Sequence, residues 1–121
     1  MSEIKSKIER KGDIYIFRMS GTINAQTLPR YREVIDQLIT EIGAAQKSNL
    51  KFIMDYGGID DVDSSALANI IDRLKNDVRC DHKVMFINVP EKFKELLAIF
   101  KLQDSIEVYD SQEEAEKALE G

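Results

Sequence analysis

The chain has 121 residues, with 17 basic and 22 acidic side chains and a formal net charge of −5 at pH 7. Hydrophobic residues make up 43% and charged residues 32%, a balance typical of one globular domain, so we expect a single domain over residues 1–121. The acidic balance excludes nucleic acid and anionic membrane as default partners, because both require a basic surface.

Cysteine use and hydropathy indicate the compartment. Cys80 is the one cysteine of the sequence, so no disulfide can form within the chain, as is usual in a reducing cytosol. The polar first residues lack the apolar core of a signal peptide, and no stretch has the length of a membrane span. We therefore expect a cytoplasmic protein without direct membrane insertion.

The first elements predict a hairpin followed by a helix. Residues 4–9 alternate weakly, residues 11–13 have the composition of a turn, and residues 13–19 are rich in β-branched and aromatic side chains. Ser20–Gly21 is expected to end that second strand. Apolar residues at three- and four-residue steps then predict an amphipathic helix over residues 27–43, followed by a short, loose connection over residues 43–49.

The rest of the chain alternates strands and helices. The predicted segments are a strand over 50–56, a loop over 57–62, a helix over about 64–79, a strand over 83–89, a helix opened by Pro90, a strand over 106–109 and a last helix after a capping box at Ser111 and Glu114. The resulting order, β-β-α-β-α-β-α-β-α, predicts an α/β fold. We expect a mixed, mostly parallel sheet with helices packed on it and an antiparallel edge from the hairpin.

Residues 59–68 place acidic and hydroxyl side chains where a strand is expected to lead into a helix. Open α/β sheets usually have their sites at that edge. Asp63 or Ser64 can accept a hydrogen bond from an unpaired backbone amide and so cap the helix. A helix start with no further role is therefore a complete explanation of the segment on composition alone.

The same segment also fits a phosphorylation switch at Ser64. A hydroxyl at a helix start is accessible to a kinase, and its phosphate would meet free amides and the positive end of the helix dipole. Asp60, Asp61 and Asp63 would repel an added charge of about −1.5 to −2. We expect the fold to change little and a docked partner to respond more strongly.

Three short motifs occur in order along the chain. They are Ser-Gly-Thr-Ile-Asn at 20–24, Asp-Ser-Ser-Ala-Leu at 63–67 and Val-Pro at 89–90, with Lys101–Leu102 where a Gly-Leu pair would complete the pattern. In composition and spacing these motifs resemble the STAS domain (sulfate transporter and anti-sigma factor antagonist). In particular, the chain resembles the small bacterial anti-sigma factor antagonists, over nearly its whole length.

The resemblance implies a bacterial phosphoprotein that acts in signal transduction and transcription regulation through protein–protein interaction. Its partner would be an anti-sigma factor that is also a serine kinase, which uses ATP to phosphorylate Ser64, with Ser65 as second choice. A metal-dependent serine phosphatase would reset it. The chain is then a substrate rather than an enzyme, with no cofactor and no metal site. The partner-binding residues implied are Asn24, Asp61, Asp63, Ser64, Ser65, Ala66 and Asn69.

The sequence departs from the family pattern at several positions. Ala66 and Ala68 stand where the family commonly has glycine, and Asn24 stands where active members usually carry aspartate. The usual Gly-rich turn before the third strand is replaced by Cys80-Asp81-His82. These departures keep open an alternative, a non-switching STAS scaffold subunit of a signalling or lipid-transport assembly, in which the helix start at Ser64 contacts a partner unmodified.

Other chemistries are less well supported. Asp55 ends a strand, as the phosphorylated aspartate of a receiver domain does, but Met19-Ser20-Gly21 supplies no acidic pair, so we expect a structural carboxylate that accepts loop amides. Cys80 and His82 are too few ligands for a structural zinc site. His82 lies about 20 Å from Ser64 if the intervening helix has its predicted length, which excludes a Ser/His/Asp hydrolase.

One further surface is a candidate for contact with other proteins, and one segment carries the acidity of the chain. The apolar run at Phe93, Leu96, Leu97, Ile99 and Phe100 is slightly wider than a core-facing stripe, which fits either one exposed apolar residue or a docking edge for a partner or a second copy in a homodimer. Residues 107–121 hold six acids and one base, so they account for the whole net charge.

Overall fold

A computed structural model describes residues 4–43, 49–77, 83–99 and 106–120, and the side chains of these residues except 71–77. Along these residues the elements are β1 Lys5–Lys11, β2 Ile14–Ile23, α1 Leu28–Ile42, β3 Lys51–Val62, α2 Ser64–Asp77, β4 Lys83–Ile87, α3 Glu91–Ile99, β5 Glu107–Tyr109 and α4 Gln112–Glu120. The predicted order and the α/β class are therefore confirmed.

The five strands form one sheet in the order β1-β2-β3-β4-β5. β1 runs antiparallel to β2, while the pairs β2/β3, β3/β4 and β4/β5 are parallel. Each parallel pair is joined through a helix, as a parallel connection requires. The mostly parallel sheet with an antiparallel hairpin edge is thus as predicted.

Alternation along the strands divides the core between the two faces of the sheet. On one face, Phe17, Phe52 and Phe86 pack in a large cluster with the apolar stripes of α1, α2 and α3. On the other face, a smaller cluster of isoleucines and Met85 packs against Ala115 and Leu119 of α4. Among the described residues, three helices therefore cover one side of the sheet and α4 covers the other.

Two strands are longer than the sequence predicts. β2 continues through Ser20–Gly21 to Ile23, and β3 continues through the segment 57–62 that was expected to be a loop. The register between β2 and β3 shifts twice along this stretch, and Gly21 has a φ of 111°. The glycines therefore lie at bulges within paired strands, where they allow a twist that a side chain would hinder.

Helix boundaries mostly follow their sequence signals. Thr27 precedes α1, Pro29 lies in its first turn, and Gly43 ends it with a left-handed φ of 68°. The Ser111 hydroxyl accepts a hydrogen bond from the Glu114 amide at 3.2 Å, as in the predicted capping box. Several predicted features lie outside the described residues: most of the 43–49 connection, the end of α2 near Arg79, Cys80-Asp81-His82, Phe100 and Lys101–Leu102.

A polar network on the α4 side links most of the sheet. The Arg18 guanidinium donates to Glu9 of β1 and to Asp55 of β3, at 2.5 Å each, and to Gln112 of α4 at 2.9 Å. Asp55 also accepts hydrogen bonds from the Asn88 side chain after β4 at 3.0 Å and from the Gly57 amide at 2.8 Å. Asp55 is therefore a structural carboxylate, as expected. It lies inside β3 rather than at the end of a strand, however, and the Gly57 amide that donates to it belongs to the same strand and not to a loop.

The charge state of Asp55 depends on these donors. Asp55 is buried, and burial alone would raise its pKa. Hydrogen bonds from Asn88, Gly57 and Arg18 outweigh the burial and hold the pKa below its ordinary value. Asp55 is consequently an ionised carboxylate at neutral pH, and its negative charge balances the positive charge of the Arg18 guanidinium beside it.

The close approach of β2 and β3 can be tested at Gly58. A Cβ at this position would lie 2.7 Å from the Ser20 Cβ and 2.9 Å from the Met19 carbonyl oxygen. We expect Gly58→Val to lower the free energy of unfolding by about 1–3 kcal/mol, measured by urea denaturation, because the strands must separate. Ser6→Val at an exposed β1 position is the control, and equal stabilities of the two variants would contradict the prediction.

The network can be tested at Asp55. Asp55→Asn keeps the side-chain shape but removes the charge, so we expect a loss of about 1–3 kcal/mol in the free energy of unfolding at pH 7. Because the folded-state pKa of Asp55 is lowered, its stabilisation is present above the unfolded pKa and is lost as pH falls through the folded pKa.

The difference between wild type and Asp55→Asn should therefore shrink below about pH 4. Asp110→Asn, at an exposed acid that pairs with Lys94, is the control and should change stability little. A difference that is the same at pH 7 and at low pH would contradict the assignment to the Asp55 charge.

Candidate functional site

The predicted site lies where β2 and β3 end side by side. Ile23 pairs with Val62 at the carboxyl ends of these parallel strands, and the Asp63 amide donates to the Ile23 carbonyl oxygen at 2.7 Å. Asn24 and Asp63 therefore follow directly from neighbouring strands. Two sequence-predicted residues that are 39 positions apart in the chain are thus brought to one edge of the sheet.

Asp63 caps α2. One oxygen of its carboxylate accepts hydrogen bonds from the Ser65 amide at 2.8 Å and from the Ala66 amide at 3.2 Å. These amides belong to the first turn of α2, where backbone amides have no hydrogen-bond acceptor within the helix. Of the two candidates for the cap, Asp63 therefore fills the role, and Ser64 is the first residue of α2.

Asn24 organises the neighbouring loop. Its side-chain oxygen accepts hydrogen bonds from the Gln26 and Thr27 amides, each at 2.9 Å. The Thr27 hydroxyl in turn accepts from the Asn24 amide at 2.9 Å and donates to the Thr22 carbonyl oxygen at 2.7 Å. The side chain of Asn24 is thus engaged in shaping the entry to α1, a role that asparagine fills as well as aspartate.

The two candidate phosphoacceptors differ in their hydroxyl groups. Ser64 and Ser65 are both exposed. The Ser65 hydroxyl donates to the Asp63 carboxylate at 2.6 Å. The Ser64 hydroxyl has no hydrogen bond to any residue that the structure describes. Ser64 can therefore react without first breaking a contact of the loop, whereas Ser65 cannot.

Two amides in the first turn of α2 are not free for a phosphate, contrary to expectation. Asp63 already occupies the amides of Ser65 and Ala66, and its negative charge sits at the positive end of the helix. A phosphate on Ser64 therefore cannot use these two amides without displacing Asp63.

Asp63 is strongly held as an anion. Its pKa lies below the ordinary value, first because the Ser65 hydroxyl donates to it and then because the Ala66 and Ser65 amides do so. The positive charge of Lys92 lowers the pKa further. Lys92, in the first turn of α3, also forms an ion pair with Asp61 at 3.6 Å.

Sequence reasoning missed Lys92. Its place two residues after Pro90, in a helix that starts at the same edge of the sheet as α2, is the signal that could have found it. The contact is not apparent from the sequence, because Lys92 follows Asp61 by 31 positions. The parallel pairing of β3 and β4 brings the two residues together.

The remaining predicted residues divide between core and surface. Ala66 is 2% exposed and belongs to the large core cluster, so its methyl group is not part of the outer surface. Asn69 is exposed and accepts a hydrogen bond from Arg32 of α1. Asp61 is exposed as well. Apart from Ala66, the predicted residues that follow β3 therefore face outward.

The apolar run of α3 is mostly core. Phe93 and Leu97 are buried, and Leu96 packs partly against the same cluster. Ile99 is 69% exposed, as expected for the residue outside the core-facing stripe.

The part of the chain that the structure describes has neither a cluster of metal-binding side chains nor a membrane-spanning helix. Within residues 4–43, 49–77, 83–99 and 106–120, there is no group of three or more His, Cys, Asp or Glu side chains that could hold a metal ion. The same residues include no helix with the length and apolar character needed to cross a membrane.

Comparison with known families identifies the fold family. The STAS domain family matches residues 5–115 of this chain. The chain belongs to the STAS domain family. A comparison with curated protein sequences gives no match, so the family assignment rests on the match of the STAS domain family to residues 5–115.

Solved STAS structures share the fold at low sequence identity. An anti-sigma factor antagonist from Mycobacterium paratuberculosis is 13% identical, with a TM-score of 0.77 over 98% of this chain and 96% of that one. Unphosphorylated SpoIIAA, an anti-sigma factor antagonist, is 16% identical, with a TM-score of 0.62 over 97% of both chains. SLC26A9 is 14% identical, with a TM-score of 0.67 over 89% of this chain and 20% of that one.

The cap can be tested by substitution at Asp63. We expect Asp63→Ala to lower the melting temperature, because the Ser65 and Ala66 amides lose their hydrogen-bond acceptor. Asp63→Asn should lower the melting temperature less, since asparagine also caps helices. Thermal unfolding followed by circular dichroism measures both. Asp61→Ala removes a neighbouring acid without removing the cap and serves as control. If it lowers the melting temperature as much as Asp63→Ala, the capping role is wrong.

Proposed function

We propose that this STAS domain is a cytoplasmic anti-sigma factor antagonist that binds an anti-sigma factor with serine kinase activity and is released by phosphorylation at Ser64. The observation that carries the proposal is the state of Ser64. Its side chain is exposed at the first position of α2, and its hydroxyl is unbonded among the described residues. The rest of the loop is held by Asp63 and Asn24, so a kinase would meet an ordered backbone with one free nucleophile.

The likeness to solved antagonists supports the proposal. Bacillus SpoIIAA, whose solved structures include the phosphorylated form, is 16% identical to this chain, with a TM-score of 0.61 for that form. This likeness to a protein with a phosphorylated form supports phosphorylation as a means of control here. The choice of Ser64 rests on its own hydroxyl, which is exposed and unbonded among the described residues.

The charge of the loop explains how a phosphate would act. Asp61 and Asp63 already give this surface a negative charge, and a partner that binds it needs cationic or hydrogen-bonding groups. A phosphate adds about −1.5 to −2 charge units, which a partner fitted to the unmodified surface must desolvate or repel. Because Asp63 occupies the Ser65 and Ala66 amides, the fold gains little from the phosphate, and the main effect falls on the complex.

In this role the chain is a substrate and binding partner rather than a catalyst. The surface offered to the kinase is that of Asn24, Asp61, Asp63, Ser64, Ser65 and Asn69. A serine phosphatase would return the protein to the binding form. We take residues 1–121 to be one domain that carries out this cycle without a cofactor.

The switch can be tested with the cognate kinase and ATP. We expect one phosphate, located at Ser64 by mass spectrometry, in wild type and in Ser65→Ala, and none in Ser64→Ala. Ser64→Ala should bind the kinase like wild type, while Ser64→Asp should bind at least tenfold more weakly, because like charge is added to the contact surface. Calorimetric titration measures the affinities. A phosphate at another residue, or an unchanged affinity of Ser64→Asp, would contradict the proposal.

A second candidate is a non-switching scaffold. The likeness to a region that makes up 20% of the SLC26A9 chain favours it, since STAS folds also occur as parts of larger assemblies. In that case the start of α2 would contact its partner with Ser64 unmodified. A stable complex with a protein that is not a kinase, isolated from the native cells with no phosphate at Ser64, would favour the scaffold over the switch.

A further inference from the structure

Lys92 faces the acidic side chains around Ser64. Its ammonium group lies 3.6 Å from the Asp61 carboxylate, and its charge also acts on Asp63. Asp61 lies three residues before Ser64, and Asp63 is its immediate neighbour. Lys92 therefore stands close to the backbone position from which a phosphate on Ser64 would project.

The position of Lys92 in its own helix is electrostatically unfavourable. It is the second residue of α3, where the positive end of the helix dipole disfavours a cation. Among the described residues, Lys92 forms an ion pair with Asp61 of β3 and none with a residue of α3. An exchange of its partner would therefore break no ion pair within α3.

Charged side chains at this edge of the sheet come from four elements. Asp60, Asp61 and Asp63 belong to the end of β3 and the cap of α2, Glu91 and Lys92 begin α3, and Arg30 and Arg32 lie in α1. Arg30 pairs with Glu33, and Arg32 donates to Asn69. Lys92, in contrast, already pairs with an acid of the loop that a phosphate would join.

We propose that, when Ser64 carries a phosphate, Lys92 leaves Asp61 and becomes the intramolecular counter-ion of that phosphate. This inference rests on the proposed phosphorylation of Ser64. A phosphate dianion attracts an ammonium group more strongly than a carboxylate does at the same distance. Asp63 occupies the Ser65 and Ala66 amides, and Lys92 is a cation that already pairs with an acid three residues before Ser64.

The exchange changes what a partner meets. In the unmodified protein, Asp61 is partly neutralised by Lys92. After the exchange, the phosphate is partly neutralised and Asp61 carries an uncompensated charge. The modification would therefore alter the surface at two positions, one at the serine and one at an aspartate three residues earlier.

The test installs phosphoserine at position 64 during synthesis by genetic code expansion, so that no kinase is needed. Titration followed by ³¹P NMR gives the second pKa of the phosphate in three proteins: wild type, Lys92→Gln and Lys94→Gln. Lys94 is the matched control, because it lies on the same helix, is similarly exposed and pairs with a different acid, Asp110, at 3.7 Å.

We expect the phosphate pKa to be higher in Lys92→Gln than in wild type by about 0.2–0.7 unit, because the loss of a cation disfavours the dianion. Lys94→Gln should match wild type. The difference should become smaller in about 1 M salt, which screens exposed charges.

Equal phosphate pKa values in wild type and Lys92→Gln would overturn the inference, as would an equal change of the phosphate pKa in Lys94→Gln. These results are independent of the kinase experiment. Failure of the kinase to modify Ser64 would overturn the proposed function, whereas the titration alone decides the role of Lys92.

Discussion

The ion pair between Arg18 and Asp55 is the interaction on which the arrangement of the strands depends. It joins β2 to β3 on the side of the sheet that α4 covers, and the same guanidinium reaches β1 and α4. Asp55 extends the connection to Asn88 after β4. Asn24 and Asp63 follow β2 and β3, the two strands that this ion pair joins. The geometry of the candidate site therefore depends on a contact within the sheet, on the face that α4 covers.

The fold was predictable because its strongest signals are local. Helical periodicity identified α1, and the capping pattern at Ser111 identified α4. The extension of β3 could not be predicted in the same way, because Gly57 and Gly58 have the composition of a loop. Their place inside the strand depends on how closely β2 approaches, with Ser20 against Gly58, and such a contact is set by pairing between strands rather than by local preference.

The candidate site was only partly predictable for a similar reason. The spacing of Asp63 and Ser64 indicated a helix start and a phosphoacceptor, but not which hydroxyl is engaged. That distinction depends on the direction of the Ser65 hydroxyl, which turns to Asp63 and leaves Ser64 unbonded among the described residues. Lys92 and Arg18 were missed because their partners, Asp61 and Asp55, lie on other elements, and chemical type alone does not identify such pairs.

The hydrogen bond from the Asp63 amide to the Ile23 carbonyl oxygen has a kinetic consequence. It fastens the start of α2 to the end of β2, and Asn24 fixes the adjoining turn through its own side chain. The conformational entropy of this surface is thus lost during folding and not during association. A protein that docks here meets a rigid target, so its rate of association is governed by diffusion, orientation and long-range charge rather than by loop rearrangement.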